Sequence, residues 1–232
     1  MSSNHYYEER MNLQPGAREL SPAAYNATIG GVLLYGFVVD AIIVKLFSGY
    51  ATNMLYSMTM NYGVTLIAIM IGYAVCCVIG SLMVHRSSNP VVSFIGFNFF
   101  ALPIGFVLAF ATIPYYSSGV IVRAFVLTAV ITGVMLLVST LIPDTFLSMG
   151  KALFISLLVC IVVDLIALIL GQDLVIVDYA VTFIFTLFVG YDWARANACA
   201  KTFDNAVDCA AELYLDIINL FLRILSILGR DN

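Results

Sequence analysis

The sequence predicts an all-α integral membrane protein: seven transmembrane helices, with the C-terminal one at the centre of the bundle. Three observations predict it. Of 232 residues, 62% are apolar and only 10% are charged, whereas a soluble domain carries about 25% charged residues and could not hide so much apolar surface without large sticky patches. The apolar residues fall into runs close to the ~20 residues that a helix needs to cross hydrocarbon, and seven such runs account for about 140 positions. The last run is built differently: Glu212, Asp216, Asn219, Arg223, Ser226 and Arg230 recur at intervals of 4, 3, 4, 3 and 4, which lines them along one helical face. Such a face cannot look at acyl chains, so this helix belongs inside the bundle or beside water.

Residues 1–23 form a polar, cytoplasmic leader. It contains Glu8, Glu9, Arg10, Arg18 and Glu19 with no apolar core, so a cleaved signal peptide is not expected and the first span itself directs insertion. Residues 24–232 are expected to be a single seven-helix domain with spans near 24–48, 61–84, 91–113, 119–142, 151–171, 174–194 and 209–229. The stretch Leu46–Val84 has no Asp, Glu, Lys or Arg and is too long for one ordinary helix; Ser48-Gly49-Tyr50, Asn53 and Asn61 mark the outer connection within it. Pro90, Pro114 and Pro143 stand near span ends, where a missing amide hydrogen is tolerated, while Pro103 falls inside the third span and predicts a kink. No internal repeat or low-complexity segment interrupts this pattern.

Orientation follows from the basic residues. With the N-terminus inside, Arg10, Arg18, Arg86, Lys151, Arg195 and Lys201 are cytoplasmic against Lys45, Arg123 and Arg230 outside, with Arg223 inside the last span. The excess favours a cytoplasmic N-terminus. The short Arg230-Asp231-Asn232 ending and the lack of targeting features point to a bacterial inner membrane. A net charge of −4 without a basic stripe excludes a nucleic-acid partner. The five scattered cysteines, Cys76, Cys77, Cys160, Cys199 and Cys209, make neither a disulfide framework nor a zinc site.

Charges inside the apolar spans carry the functional information, because each costs about 2.5–3.5 kcal/mol at a helix centre. The sixth span ends in Gly190-Tyr191-Asp192-Trp193, and Asp192 and Asp216 are 24 positions apart about residue 204. Two antiparallel helices turning there would bring both carboxyls to similar depth near the cytoplasmic end. Neighbouring carboxyls cannot both ionise cheaply, so they share a proton and titrate as a unit, a pH sensor without histidine. The competing reading pairs Asp192 with Arg195 one turn on, and Asp216 with Arg223 two turns up. Asp40, Asp164 and Asp178 are outer acidic candidates: Asp178 begins the sixth span near the outer water, where simple solvation is the commoner reading, Asp164 and Asp40 lie deeper, and Asp40 either pairs with Lys45 or marks an outer vestibule. His85 and Arg86 end the second span as a positive-inside anchor, or Arg86 serves as a mobile partner for an acid.

The run Leu213-Tyr214-Leu215-Asp216-Ile217-Ile218-Asn219-Leu220-Phe221-Leu222-Arg223-Ile224-Leu225 resembles the terminal-span motif of the transmembrane Bax inhibitor motif family, and Phe185 through Tyr191-Asp192 resembles that family's sixth-span motif. The resemblance covers about residues 24–229. It implies six helices wrapped around the C-terminal one and a pH-sensitive calcium leak, with the family's aspartate pair at Asp192 and Asp216. It also implies an arginine latch at the cytoplasmic end of the second helix, for which Arg86 is the candidate, within His85-Arg86-Ser87-Ser88-Asn89-Pro90 rather than an arginine cluster. Trp193-Ala194-Arg195 departs from the more usual Thr-Gln after Tyr-Asp and leaves the aspartate intact.

The function expected is a proton-gated leak for calcium or similar cations. Ionised Asp192 and Asp216 offer hard oxygen ligands to an ion in transit, protonation removes them, and Glu212, Asn219 and Arg223 are an accessory polar stripe. Calcium is the permeating ion, not a cofactor, and none is expected; the other partners are the lipid bilayer and protons. The alternative is an interaction protein that modulates a protease or a cell-death factor. An intramembrane aspartyl protease fits less well, since Tyr214-Leu215 precedes Asp216 in place of Gly-x-Gly and no Pro-Ala-Leu follows, and no enzymatic activity is expected. A proton-coupled transporter would use buried acids in the same way.

Overall fold

The computed structural model describes residues 18–57, 62–87, 89–116, 119–172 and 174–230. Most of the leader, residues 1–17, and Asn61 of the expected outer connection lie outside the described residues. Among the described residues seven α-helices follow in chain order: α1 (Pro22–Ser57), α2 (Tyr62–Arg86), α3 (Pro90–Thr112), α4 (Val120–Leu141), α5 (Pro143–Ile169), α6 (Val175–Ala198) and α7 (Phe203–Arg230). There is no strand among the described residues. Helices α1, α3, α4, α5 and α6 are each long and apolar enough to cross a membrane, and the chain is an all-helical membrane protein.

Local chemistry sets the helix ends. Ser21 starts α1 through its hydroxyl, which accepts from the Ala24 amide at 3.2 Å. Asn89 caps α3, its Oδ1 accepting from the Val91 amide at 3.0 Å, and Pro90 at the first helical position loses no bond. Gly119 precedes α4 with φ 69°, a conformation that costs glycine little and a branched residue much. Pro103 lies inside α3, whose assignment continues on both sides of it.

Three boundaries differ from expectation. Helix α1 runs to Ser57, nine residues beyond the expected end at 48, because nothing in Ser48-Gly49-Tyr50 removes a backbone donor or forces a positive φ. Helix α5 begins at Pro143, not 151: proline suits the first turn, Asp144 complements the positive helix start, and only Ile142 separates α4 from α5. Helix α7 begins at Phe203, not 209, because Thr202 caps it: its Oγ1 accepts from the Asn205 amide at 3.2 Å.

The chain forms two compact units. The first contains α1, α2, α3 and residues 199–212, the turn and opening of α7. Here Gly80 and Gly96 let α2 and α3 approach backbone to backbone; a Cβ on Gly96 would sit 2.8 Å from Met83 Cβ and 3.0 Å from the Gly80 carbonyl. Gly105 likewise admits Ile43 of α1. Tyr35 lies against Phe94 and Phe97, ring centroids 5.1 and 6.3 Å away, and its hydroxyl donates to Asn98 Oδ1 at 2.8 Å.

The second unit contains Tyr115, α4, α5, α6 and α7 from Leu213 onward. Its core joins Val120 and Ala124 of α4, Val177, Val181 and Phe185 of α6, and Leu220, Ile224 and Leu225 of α7. Helices α4 and α5 expose Val122, Phe125, Leu137, Phe154, Ile155 and Leu158, the surface that hydrocarbon would cover. In contrast, α7 buries both apolar and acidic groups, among them Leu213, Tyr214, Asp216 and Leu220.

Candidate functional site

The site is built on α6 and on the part of α7 that belongs to the second unit. Two close contacts seat α6 on α5. Gly150 leaves room for the Tyr191 ring, which would lie 2.7 Å from a Cβ there, and Gly190 leaves room for Phe146. Trp193 ties α6 to α4, its indole N–H donating to Thr140 Oγ1 at 2.9 Å. Asp192 is thus held between an anchored tyrosine and an anchored tryptophan.

Asp192 and Asp216 are both buried, at 7% and 8% exposure, and both belong to the second unit. Asp192 Oδ1 receives Arg195 Nη2 at 3.2 Å, and both side chains are 9% exposed. The Arg195 guanidinium also lies 5.4 Å from the centroid of the Tyr191 ring, a cation–π arrangement. The sequence reading that pairs Asp192 with Arg195 therefore describes a real contact. The connection between α6 and α7 is residues 199–202, so residue 204, the expected midpoint, is already inside α7.

Arg223 does not follow the sequence alternative that pairs it with Asp216. It gives Nη1 to Asp178 Oδ1 and Nη2 to Asp164 Oδ2, the latter at 2.9 Å. Arg230 Nη2 reaches the other Asp178 oxygen at 2.7 Å, and the Ser226 hydroxyl approaches that oxygen at 3.5 Å. Asp178 is only 5% exposed, which corrects the expectation of simple solvation: two guanidinium groups replace the water it would need. Asn219 leaves the stripe, since its side-chain amide donates to the Leu215 carbonyl of its own helix at 2.7 Å.

The remaining candidates lie in the first unit. Asp40 is buried in α1, Glu212 is half-buried in α7 and Arg86 is exposed at the end of α2. Two acids not singled out from the sequence join them. Asp204 accepts from Ser93 Oγ at 2.9 Å, and Asp208 is 1% exposed. Their signal was present, because 204, 208, 212 and 216 repeat every four residues. The α6–α7 turn is strapped to the start of α1: the Leu20 amide donates to the Lys201 carbonyl at 2.7 Å, and the buried Tyr25 hydroxyl contacts Cys209 Sγ at 3.4 Å. Lys201 Nζ sits 4.8 Å from the Tyr25 ring centroid, and burial pulls its ammonium below the usual lysine value, opposed by the Cys199 and Cys209 thiols.

Among the described residues no three His, Cys, Asp or Glu side chains are arranged to hold a metal ion.

The family described as "Inhibitor of apoptosis-promoting Bax1" (Bax1-I) matches residues 19–232. An uncharacterised Helicobacter pylori protein is 35% identical over 113 residues, 48% of this chain and 48% of its own. A protein of a second Helicobacter pylori strain is 34% identical over 113 residues, again 48% of each chain. An uncharacterised Campylobacter jejuni protein is 30% identical over 115 residues, 49% of each chain. The chain spans about half the length of these curated relatives.

Proposed function

Since the chain belongs to the Bax inhibitor family, we propose that it is a pH-sensitive leak for calcium or similar cations, gated by Asp192 and Asp216. The observation that carries this reading is the burial of both carboxyls in one compact unit, on helices whose other buried residues are largely apolar. Acids are rarely kept in such surroundings without a role in moving ions or protons. Ionised, they offer oxygen ligands to a divalent cation; protonated, they lose both the charge and the affinity. Arg195 holds Asp192 in the structure, and the ion must compete with that guanidinium. Arg86 is the proposed latch for the closed form, released when α2 moves, and the protonation state of the pair sets the balance between the two packings. The reading places the protein in a bacterial inner membrane with its N-terminus in the cytoplasm, and it assigns no catalytic step.

The test is calcium flux into liposomes over a pH series, comparing the wild type with Asp192→Asn and Asp216→Asn. Each substitution should change the flux and flatten its pH response. Unchanged flux and pH dependence in both variants would discard the mechanism. The family's description favours a second reading, a membrane protein that modulates a cell-death factor or a protease. A stoichiometric partner crosslinked in membranes, together with purified protein inert in liposomes, would select it.

A further inference from the structure

The charges around Arg223 form a cluster that the proposed gating by Asp192 and Asp216 does not use. Arg223 and Arg230 supply two positive charges; Asp164 and Asp178 supply two negative ones. All four belong to the second unit. The two acids bracket the α5–α6 connection: Asp164 is five residues before the end of α5, and Asp178 is three after the start of α6. Arg223 is therefore a single side chain that ties three helices together. Asp178, with a 7% exposed side chain, is held from two positions on α7 that lie two helical turns apart.

This set is separate from the aspartate pair: on α7, Arg223 is seven residues from Asp216, about 10 Å of helix rise. Asp178 and Asp192 are 14 residues apart on α6, about 21 Å of helix rise. Between the two polar levels lies the dry core, with Val181 and Phe185 of α6 and Leu220 of α7. A cation that passed Asp192 and Asp216 would have to part this core and would then meet carboxylates already held by Arg223.

We propose that the Arg223 network is a second latch on the conduit, at the end of the second unit away from Asp192 and Asp216. This inference rests on the leak reading above. Closed, Arg223 clamps α5 and α6 to α7 and keeps both carboxylates occupied. Open, Arg223 leaves Asp164 and Asp178, which then present two carboxylates to the ion. Because the network is neutral as a set, losing one arginine both unties the helices and unbalances the charge.

Two measurements test it in the full-length protein. In nanodiscs, Ser226→Cys reports opening through its labelling rate with a membrane-impermeant methanethiosulfonate cation, after subtraction of the parent chain's own labelling. Arg223→Gln should raise that rate about tenfold by populating a minor open form, and Arg223→Lys, which keeps the charge beside Asp164 and Asp178, should leave it nearer the parent value. In liposomes, Arg223→Gln should raise calcium flux by a similar factor. A folded Arg223→Gln variant labelled at the parent rate overturns the latch; if that variant does not fold, a folded Asp164→Asn variant, which weakens Arg223's hold on α5, labelled at the parent rate does so. Faster labelling with no calcium flux in any variant, wild type included, keeps the latch and rejects the leak reading.

Discussion

The contact between Asp192 and Arg195 makes a quantitative prediction. At 3.2 Å, with both side chains 9% exposed, the pair's attraction is about 5 kcal/mol at an effective dielectric of 20. Desolvation offsets much of that, but removing one partner from a buried pair still costs about 3–5 kcal/mol, because the other charge is left behind. Arg195→Met should therefore destabilise the protein by about 3 kcal/mol, a value at the low end because Asp192 can accept a proton. The double variant, Arg195→Met with Asp192→Asn, should be no worse than Arg195→Met alone, since no charge is then stranded. The cycle should yield a coupling of about 2 kcal/mol, read from SDS-induced unfolding of the purified protein in mild micelles. Effects that add to within about 0.5 kcal/mol would refute the reasoning: Asp192 would then not depend on Arg195 for its charge, and the pairing would be incidental to the site.

Two further predictions concern the scaffold. Gly96→Ala should cost about 1–3 kcal/mol by overpacking, because its Cβ would lie 2.8 Å from Met83 Cβ and 3.0 Å from the Gly80 carbonyl. Gly133→Ala in α4 meets nothing within 4 Å and should stabilise by about 0.5–1 kcal/mol; equal responses of the two variants in thermal unfolding would contradict the α2–α3 contact. Thr202→Ala removes the cap of α7 and should cost about 1 kcal/mol, with faster amide exchange confined to the first turn as its signature.

Much of the candidate site was legible before any coordinates. Asp192 and Asp216 stood out because a charge in an apolar run is costly wherever the run folds, and Arg195 was legible as a partner because three residues along a helix return to the same face. The start of α7 was legible too, in Thr202-Phe203-Asp204-Asn205, where a hydroxyl residue precedes a run with acids at every fourth place. Reading the helix from its apolar portion alone concealed this, and with it Asp204 and Asp208.

The Arg223 network was not legible. Its partners are 45 and 59 residues away in the chain, on helices that each satisfy their own backbone hydrogen bonds. From the sequence, Asp178 at a span end has every appearance of a solvated residue; only the arrival of Arg223, Arg230 and Ser226 on α7 makes its burial affordable.

By itself, then, the sequence determined that this chain lives in lipid, that it is helical, and which of its residues water or a counter-charge must attend, because hydropathy and helical period act over a few neighbouring residues. Tertiary structure alone decided which counter-charge attends Asp164 and Asp178. Ion pairing there depends on distances of a few ångströms between side chains of different helices, which are set by the packing of α5, α6 and α7 and not by any spacing along the chain.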